Sequence, residues 1–395
     1  MGSEGSGLPL EFEPLAVRSA EVLEVRLPLR EPFVTAFGPT STRRTVLVRL
    51  EDEDGLAGWG EGAALDHPFY LPETTSSTYA VLVEHVLPLA LGAQARGLPD
   101  LAAALLPVRG NTFAKMAVEA AFLTLQAARA RASLKAVLGG ERTRIQVGES
   151  IGIQPDLEGT LAEVGLRLAE GYRRIKLKIR PGWELEPVRA VRREFGDIQL
   201  QVDANASYHL DDAPLLQALD EFGLLCIEQP LEYDDIDGHA QLQKRLGTPI
   251  CLDESLRSVE QTRRALDLGA CRNVNLKPGR VGGIVASLAV HDLCRSRSVP
   301  LWCGGMLESG IGRAANIALC SLPGFDQPAD MSPAHVLYLD DVLDPGYRVD
   351  RDGCIEVSDE PGLGYRVDEA KLRSWTLRSH RFEPTRLLAA RATGG

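Results

Sequence analysis

The chain has 395 residues, 44% hydrophobic and 25% charged, a globular mixture with apolar material for a large core and more length than one typical domain holds. A formal net charge of −12 without a long basic run gives a field that repels nucleic acid and anionic membrane surfaces, so neither is expected as a partner. The opening "MGSEGSGLPLEFEP" lacks signal-peptide features, no apolar run reaches the roughly 18 residues of a membrane span, and the seven cysteines, all from Cys226 onward, have no C-x-x-C spacing; a cytoplasmic protein with reduced thiols is expected.

Residues 1–14 and 383–395 show no convincing apolar period and are expected to be mobile tails. From residue 15 to about 60 the pattern alternates as strands do, with a hairpin turn at "EDEDG". Residues 78–138 then repeat small and apolar side chains at three-to-four spacing, as helices do. Strands followed by helices predict an α+β domain over 15–140. Its Gly/Pro/Thr-rich stretch 31–44 and the stretch "LDHPFYLPET" after residue 64 are the candidate lids, with Phe33, Phe37 and Tyr70 as an apolar wall.

Over 141–335 short apolar strands alternate with amphipathic helices, several of them closing at a glycine. Seven such βα units, with "FDQPADM" as an eighth strand, predict a parallel barrel; an open doubly wound sheet is the competing arrangement. Residues 336–382 are expected to return to the first domain. The fold class is therefore α/β, a modified TIM barrel (β/α)7β with an α+β cap.

The last residues of five successive barrel strands are Lys178, Asp203, Glu228, Asp253 and Lys277, spaced by 25, 25, 25 and 24 residues. In each strand the aliphatic partners fall in the other phase, so these charges face the barrel axis at its C-terminal mouth, where barrel enzymes carry their sites. The same phase brings inward Lys176, Gln199, Gln201, Asn273 and Asn275. Three carboxylates without an inward His or Cys select Mg²⁺, with Mn²⁺ as a substitute, over Zn²⁺; a plain salt-bridge network is the alternative. A buried lysine beside positive charge loses its proton more readily, and Lys176 and Arg280 are the candidates to supply that charge to Lys178 and Lys277. A Schiff-base aldolase would explain one buried lysine and leave the carboxylates unexplained.

These residues sit in "KLK" ending at Lys178, "VDAN" at Asn205, "IEQP" at Pro230, "LDES" at Ser255 and "NLKPGRVGG" at Gly283. Here the chain resembles the enolase superfamily, in its muconate-lactonising-enzyme-like subgroup. The resemblance covers most of the chain. It implies Asp203, Glu228 and Asp253 as Mg²⁺ ligands and Lys178 and Lys277 as the acid/base pair, supported by Lys176, Asn205, Glu254 and Arg280. "CGGMLESGIGR" and "VGESIGI" look most like the family of o-succinylbenzoate synthase and N-succinylamino acid racemase. That likeness implies Ser150, Met306 and Ser309 at the substrate, with Gly304, Gly305 and Gly310 either bringing amides to an acyl group or forming a plain turn. The implied substrate is a small-molecule carboxylate and the expected assembly a homo-oligomer. Racemisation of an N-acylamino acid through an ene-diolate is the leading reading. Dehydration to o-succinylbenzoate, a step towards menaquinone, is its rival, and one protein carrying both activities is a further reading. Muconate cycloisomerase ranks lower, as does dipeptide epimerase, whose D-x-D motif is here Asp330 followed by Ser332.

Overall fold

The structure, a computed structural model, describes residues 17–36, 38–93 and 95–382; Phe37 and both expected tails lie outside them. The cap is an antiparallel four-stranded sheet in the order Thr376–Phe382, Val17–Leu27, Arg43–Asp52, Ala57–Gly62. Its last strand reads Ala-Gly-Trp-Gly-Glu-Gly, and period 2 places Gly58 and Gly60 on one face. That face lies so close to the helix Thr112–Arg129 that a Cβ at Gly60 would stand 2.0 Å from the Ala117 carbonyl oxygen, and one at Gly58 2.1 Å from that of Ala121.

The barrel runs from Arg144–Ile151 through Arg174–Lys178, Gln199–Asp203, Ile227–Glu228, Ile250–Leu252, Asn273–Leu276 and Leu301–Cys303 to Ala329–Asp330, which pairs in parallel with the first strand. Every neighbouring pair along this path is parallel, and only the seventh and eighth strands lack a shared ladder, so the ring is nearly closed. The outward aliphatics Ile175, Leu177, Leu200, Val202, Ile227, Ile250, Leu252, Val274 and Leu276 all join the main apolar core. Gln199 departs from its expected place inside the barrel. It opens its strand at the N-terminal rim and is exposed, although its register partner on the neighbouring strand, Arg174, is buried.

The segment after the barrel does two things. Cys354–Glu356 adds antiparallel to the first barrel strand, and Thr376–Phe382 completes the cap sheet beside Val17–Leu27. No helix among the described residues is long and apolar enough to cross a membrane.

Candidate active site

The second barrel strand carries three inward cations at successive depths, Arg174, Lys176 and Lys178, all buried. Arg174 and Lys176 share Asp330, which is ion-paired with Arg174 at 2.6 Å, and both cations lie against the ring of Trp302 at 5.2 and 4.9 Å from its centroid. Arg174 was legible from its phase with the two lysines, and its partner Asp330 closes the eighth strand. Burial alone would raise Asp330, but Arg174 and Lys176 hold its carboxyl well below the usual carboxylate range.

Above this floor the Lys178 ammonium donates to Asp203 at 2.5 Å and to Asn205 Oδ1 at 2.9 Å. Asn205 in turn donates to Glu254 at 3.0 Å. Lys176 reaches Glu228 at 3.1 Å, and Asn275 donates to the other oxygen of Glu228 at 2.7 Å. Lys277 donates to Asp253 at 2.9 Å, while Tyr70 and Arg280 share that carboxylate's second oxygen. The barrel places the sequence-predicted lysines and carboxylates in one buried cluster, in the order of their strands.

The local charge follows from this pairing. Burial pushes Asp203 up, yet Lys178 and Lys176 bring it below the ordinary value. Burial and then the Asp203 charge raise Glu228, and the same two causes raise Glu254 to about 7. Lys277 reverses the sequence expectation: burial favours loss of its proton, but Tyr70 and the carboxylates of Glu228, Glu254 and Asp203 outweigh it and hold the ammonium above the ordinary range. Arg280 does not lower it, because its guanidinium is spent on Asp253 and on the Leu256 and Asn275 carbonyls. Lys176, expected to lower Lys178, has its own charge answered by Asp330, Glu228 and Asp203.

The donor chemistry of Asp203, Glu228 and Asp253 fits a hard divalent cation, since all three are buried oxygen ligands on neighbouring strands and Glu254 Oε2 beside them has no partner. Among the described residues no group of three or more His, Cys, Asp or Glu stands ready-arranged around a metal position. The ammonium groups of Lys176, Lys178 and Lys277 are ion-paired with the carboxylates of Asp203, Glu228 and Asp253.

Two connected hollows open over the cluster. The larger, of about 350 Å³, reaches from Lys178, Asn205 and Lys277 to the cap residues Phe33, Thr35, Leu65, Phe69 and Tyr70, and to Met306 and Leu307. The smaller, of about 80 Å³, includes Ser150, Lys176, Lys178, Lys277, Gly305 and Ser332 in its lining. Both candidate lids therefore cover the lysines. Tyr70 is more than an apolar wall: its hydroxyl donates to Asp253 at 2.8 Å and the Lys277 ammonium stands 4.7 Å from its ring centroid. The Ser150 hydroxyl is buried without a protein partner.

Ser309 is not at the substrate hollow. It caps the helix Gly310–Cys320, and its amide and hydroxyl both donate to Glu61 of the cap, the hydroxyl at 2.6 Å. Two of the three glycine amides are also committed, Gly304 to the Leu276 carbonyl and Gly310 to Asp341, which leaves Gly305 at the hollow. Gly304 has a steric role, since a Cβ there would come within 2.7 Å of Lys277 Cε.

One buried cation gave no sequence signal. Arg43, 1% exposed, donates to the carbonyls of Ala63, Ala64, Arg44, Met306 and Leu307. Leu307 has φ of 53°, a left-handed conformation that costs a leucine on the order of 1–2 kcal/mol.

Known proteins resemble this arrangement along most of the chain. Residues 17–139 match the family described as mandelate racemase / muconate lactonizing enzyme, N-terminal domain, and residues 160–371 match enolase C-terminal domain-like. The o-succinylbenzoate synthase of Geobacillus kaustophilus is 46% identical over 89% of this chain and 94% of its own. The N-succinylamino acid racemase of Thermus thermophilus is 46% identical over 89% of this chain and 95% of its own. A solved member of the enolase superfamily from Listeria innocua superposes with a TM-score of 0.90 at 36% identity, covering 94% of this chain and 100% of that one. With its cap, its nearly closed barrel and these relatives, the chain belongs to the enolase superfamily, as an enzyme of the family that unites o-succinylbenzoate synthases with N-succinylamino acid racemases.

Proposed function

We propose that the protein is an N-succinylamino acid racemase, removing the α-proton of an N-acylated amino acid and returning one to the opposite face. The observation that carries this reading is the pair of buried lysines, Lys178 and Lys277, that line one hollow while resting on different carboxylates, Asp203 and Asp253. A divalent cation, typical of the superfamily, would be held by Asp203, Glu228 and Asp253 and would supply positive charge beside the substrate carboxylate.

The chain's own groups do the rest. Lys178 takes the α-proton of one enantiomer while Lys277, protonated, delivers its own to the opposite face of the planar ene-diolate, and the two exchange roles for the other enantiomer. Asn205 Oδ1 aims Lys178, and Tyr70 lies against Lys277. Phe33, Tyr70 and Met306 exclude water from the charged cluster, and the unpaired Ser150 hydroxyl is available to a polar atom of the acyl group. An uncharged acylated nitrogen suits the site. Asp330 is spent on Arg174 and Lys176, and Ser332 donates to Glu149, so no acid pair is left for a substrate ammonium in the manner of a dipeptide epimerase.

A second reading, dehydration to o-succinylbenzoate, is favoured by an equal 46% identity to a synthase and needs only one lysine as both base and acid. Both activities are to be measured on one purified sample with Mg²⁺: interconversion of N-succinylamino acid enantiomers by polarimetry, and formation of the aromatic product by absorbance. Racemisation is the expected result. Absence of both α-proton exchange with D₂O in the N-succinylamino acid and aromatic product from the dehydration substrate would sink both readings.

A further inference from the structure

We propose that Arg43 is a positioning residue that sets the substrate-facing wall of the hollow, governing how tightly substrate is held and leaving the proton-transfer step alone. Arg43 is the first residue of the cap strand Arg43–Asp52 and emerges from the first covering loop. Its guanidinium has five N–H bonds, and five backbone carbonyls accept from it. Nε donates to Leu307 at 2.9 Å, one terminal nitrogen to Ala64 at 2.7 Å and to Arg44, and the other to Ala63 at 3.0 Å and Met306 at 3.2 Å. None of these partners is a carboxylate.

Those of Ala63 and Ala64 belong to the cap and those of Met306 and Leu307 to the barrel, which no strand ladder joins. Ala63 and Ala64 lead into Leu65, Phe69 and Tyr70, which form the cap side of the hollow. Met306 and Leu307 follow the seventh barrel strand and form its barrel side, with Leu307 lining both hollows. Buried carbonyls in loops have no neighbouring backbone donors, and a planar fork of five donors can bridge them where a lysine, with three donors at one point, cannot. One side chain therefore fixes two facing walls.

Leu307 makes the wall depend on that fork. Its left-handed backbone is one that leucine seldom adopts, and it persists only where the surroundings over-determine it. Its carbonyl is held by two donors, Arg43 Nε and the Tyr338 hydroxyl at 2.6 Å. Release of the carbonyl lets the peptide turn to the ordinary right-handed form, which swings the Leu307 side chain out of its place in both hollows. Arg43 makes no hydrogen bond to either lysine or to the carboxylates beneath them, so the reacting atoms do not feel its loss directly.

The kinetic part of this inference rests on the proposed racemase reading; the contacts do not. The test uses Arg43→Lys, which keeps the charge and removes the fork, and Tyr338→Phe, which removes one donor without touching charge. For α-proton exchange of an N-succinylamino acid, Arg43→Lys is expected to raise KM about tenfold or more while kcat stays within about threefold, as for interactions made equally in the ground and transition states. Amide hydrogen exchange over 305–308 in the free protein should quicken in both variants, with a smaller KM effect in Tyr338→Phe. A KM for Arg43→Lys equal to the parent's would overturn the proposal and point to charge alone, and so would a kcat that falls as far as kcat/KM. If Arg43→Lys does not fold, Tyr338→Phe decides, and unchanged KM with unchanged loop exchange overturns the proposal. If the parent racemises nothing, the proposed function has failed, while loop exchange in the free variants still decides the role of Arg43.

Discussion

At Lys277 the same burial that makes a lysine a usable base also surrounds it with carboxylates that keep its proton on. Each ammonium has a carboxylate of its own, Asp203 for Lys178 and Asp253 for Lys277, so removing one lysine leaves the other's contact intact. Lys178→Ala and Lys277→Ala are each expected to stop racemisation yet to retain partial α-proton exchange of a single enantiomer, a different one for each variant. NMR in D₂O on the separated enantiomers is the measurement, and interconversion at the parent rate in either variant would refute the two-base assignment. The identity of these residues was legible because one βα unit repeats every 24 or 25 residues and fixes their phase. Their electrostatics were not. Arg280 reads as a like charge three residues from Lys277, but its charge is consumed by Asp253, which comes from the strand before, and no local pattern announces that.

Elements pack here with little room to spare, and the cap shows it best. Gly58 and Gly60 let the strand Ala57–Gly62 lie directly on the helix Thr112–Arg129, with hypothetical methyl groups 2.0 to 2.1 Å from helix carbonyl oxygens. Gly60→Ala must push the two apart. It is expected to destabilise the fold by roughly 2–4 kcal/mol, to be read as a lower urea midpoint; an unchanged midpoint would mean that the sheet and helix slide freely. The same helix reaches the barrel through Glu119, which accepts from the Val285 amide at 3.0 Å and takes the place of a capping side chain, because the N-cap residue of Ile284–Ser296 is Gly283. Burial pushes Glu119 up to about 7 from 4.5. In that window the folded state holds a proton that the unfolded chain has released, so its stabilising share is complete below pH 4.5 and is lost as pH rises through 7. Unfolding in urea at several pH values should show Glu119→Gln, permanently neutral, without this decline, a difference from the parent of roughly 3 kcal/mol between pH 4.5 and 7.5. Identical pH slopes in the two proteins would contradict it. Strand and helix order was readable because period 2 and period 3.6 persist inside each element. The contacts of Ser309 and Gly310 were not legible for the opposite reason: Glu61 and Asp341, which engage them, lie 248 and 31 residues away.

On the scale of the whole molecule, the cation that Asp203, Glu228 and Asp253 are proposed to hold would act as a ligand of the folded state alone, since only the closed barrel brings the three strands together. Excess Mg²⁺ should therefore raise the Tm, by about 2.7 kcal/mol of stability at a hundred times its Kd. Glu228→Gln should abolish that rise and weaken Mg²⁺ in calorimetric titration by more than the 10–100-fold typical of outer partners. An undiminished rise in the variant would remove Glu228 from the ligand set. The cap places a different demand on the molecule, one of time. Its strand Val17–Leu27 finds its outer neighbour only in Thr376–Phe382, with register Ala20 to Phe382. At about 5–20 residues per second, the ribosome needs on the order of 20–70 s to deliver that partner after Leu27 has been made. The whole barrel emerges in the interval, and throughout it one long edge of the cap sheet stands open to any other nascent strand, until the last strand replaces it with a shorter edge that carries Arg378 and Arg381, charges that discourage pairing with a neighbour.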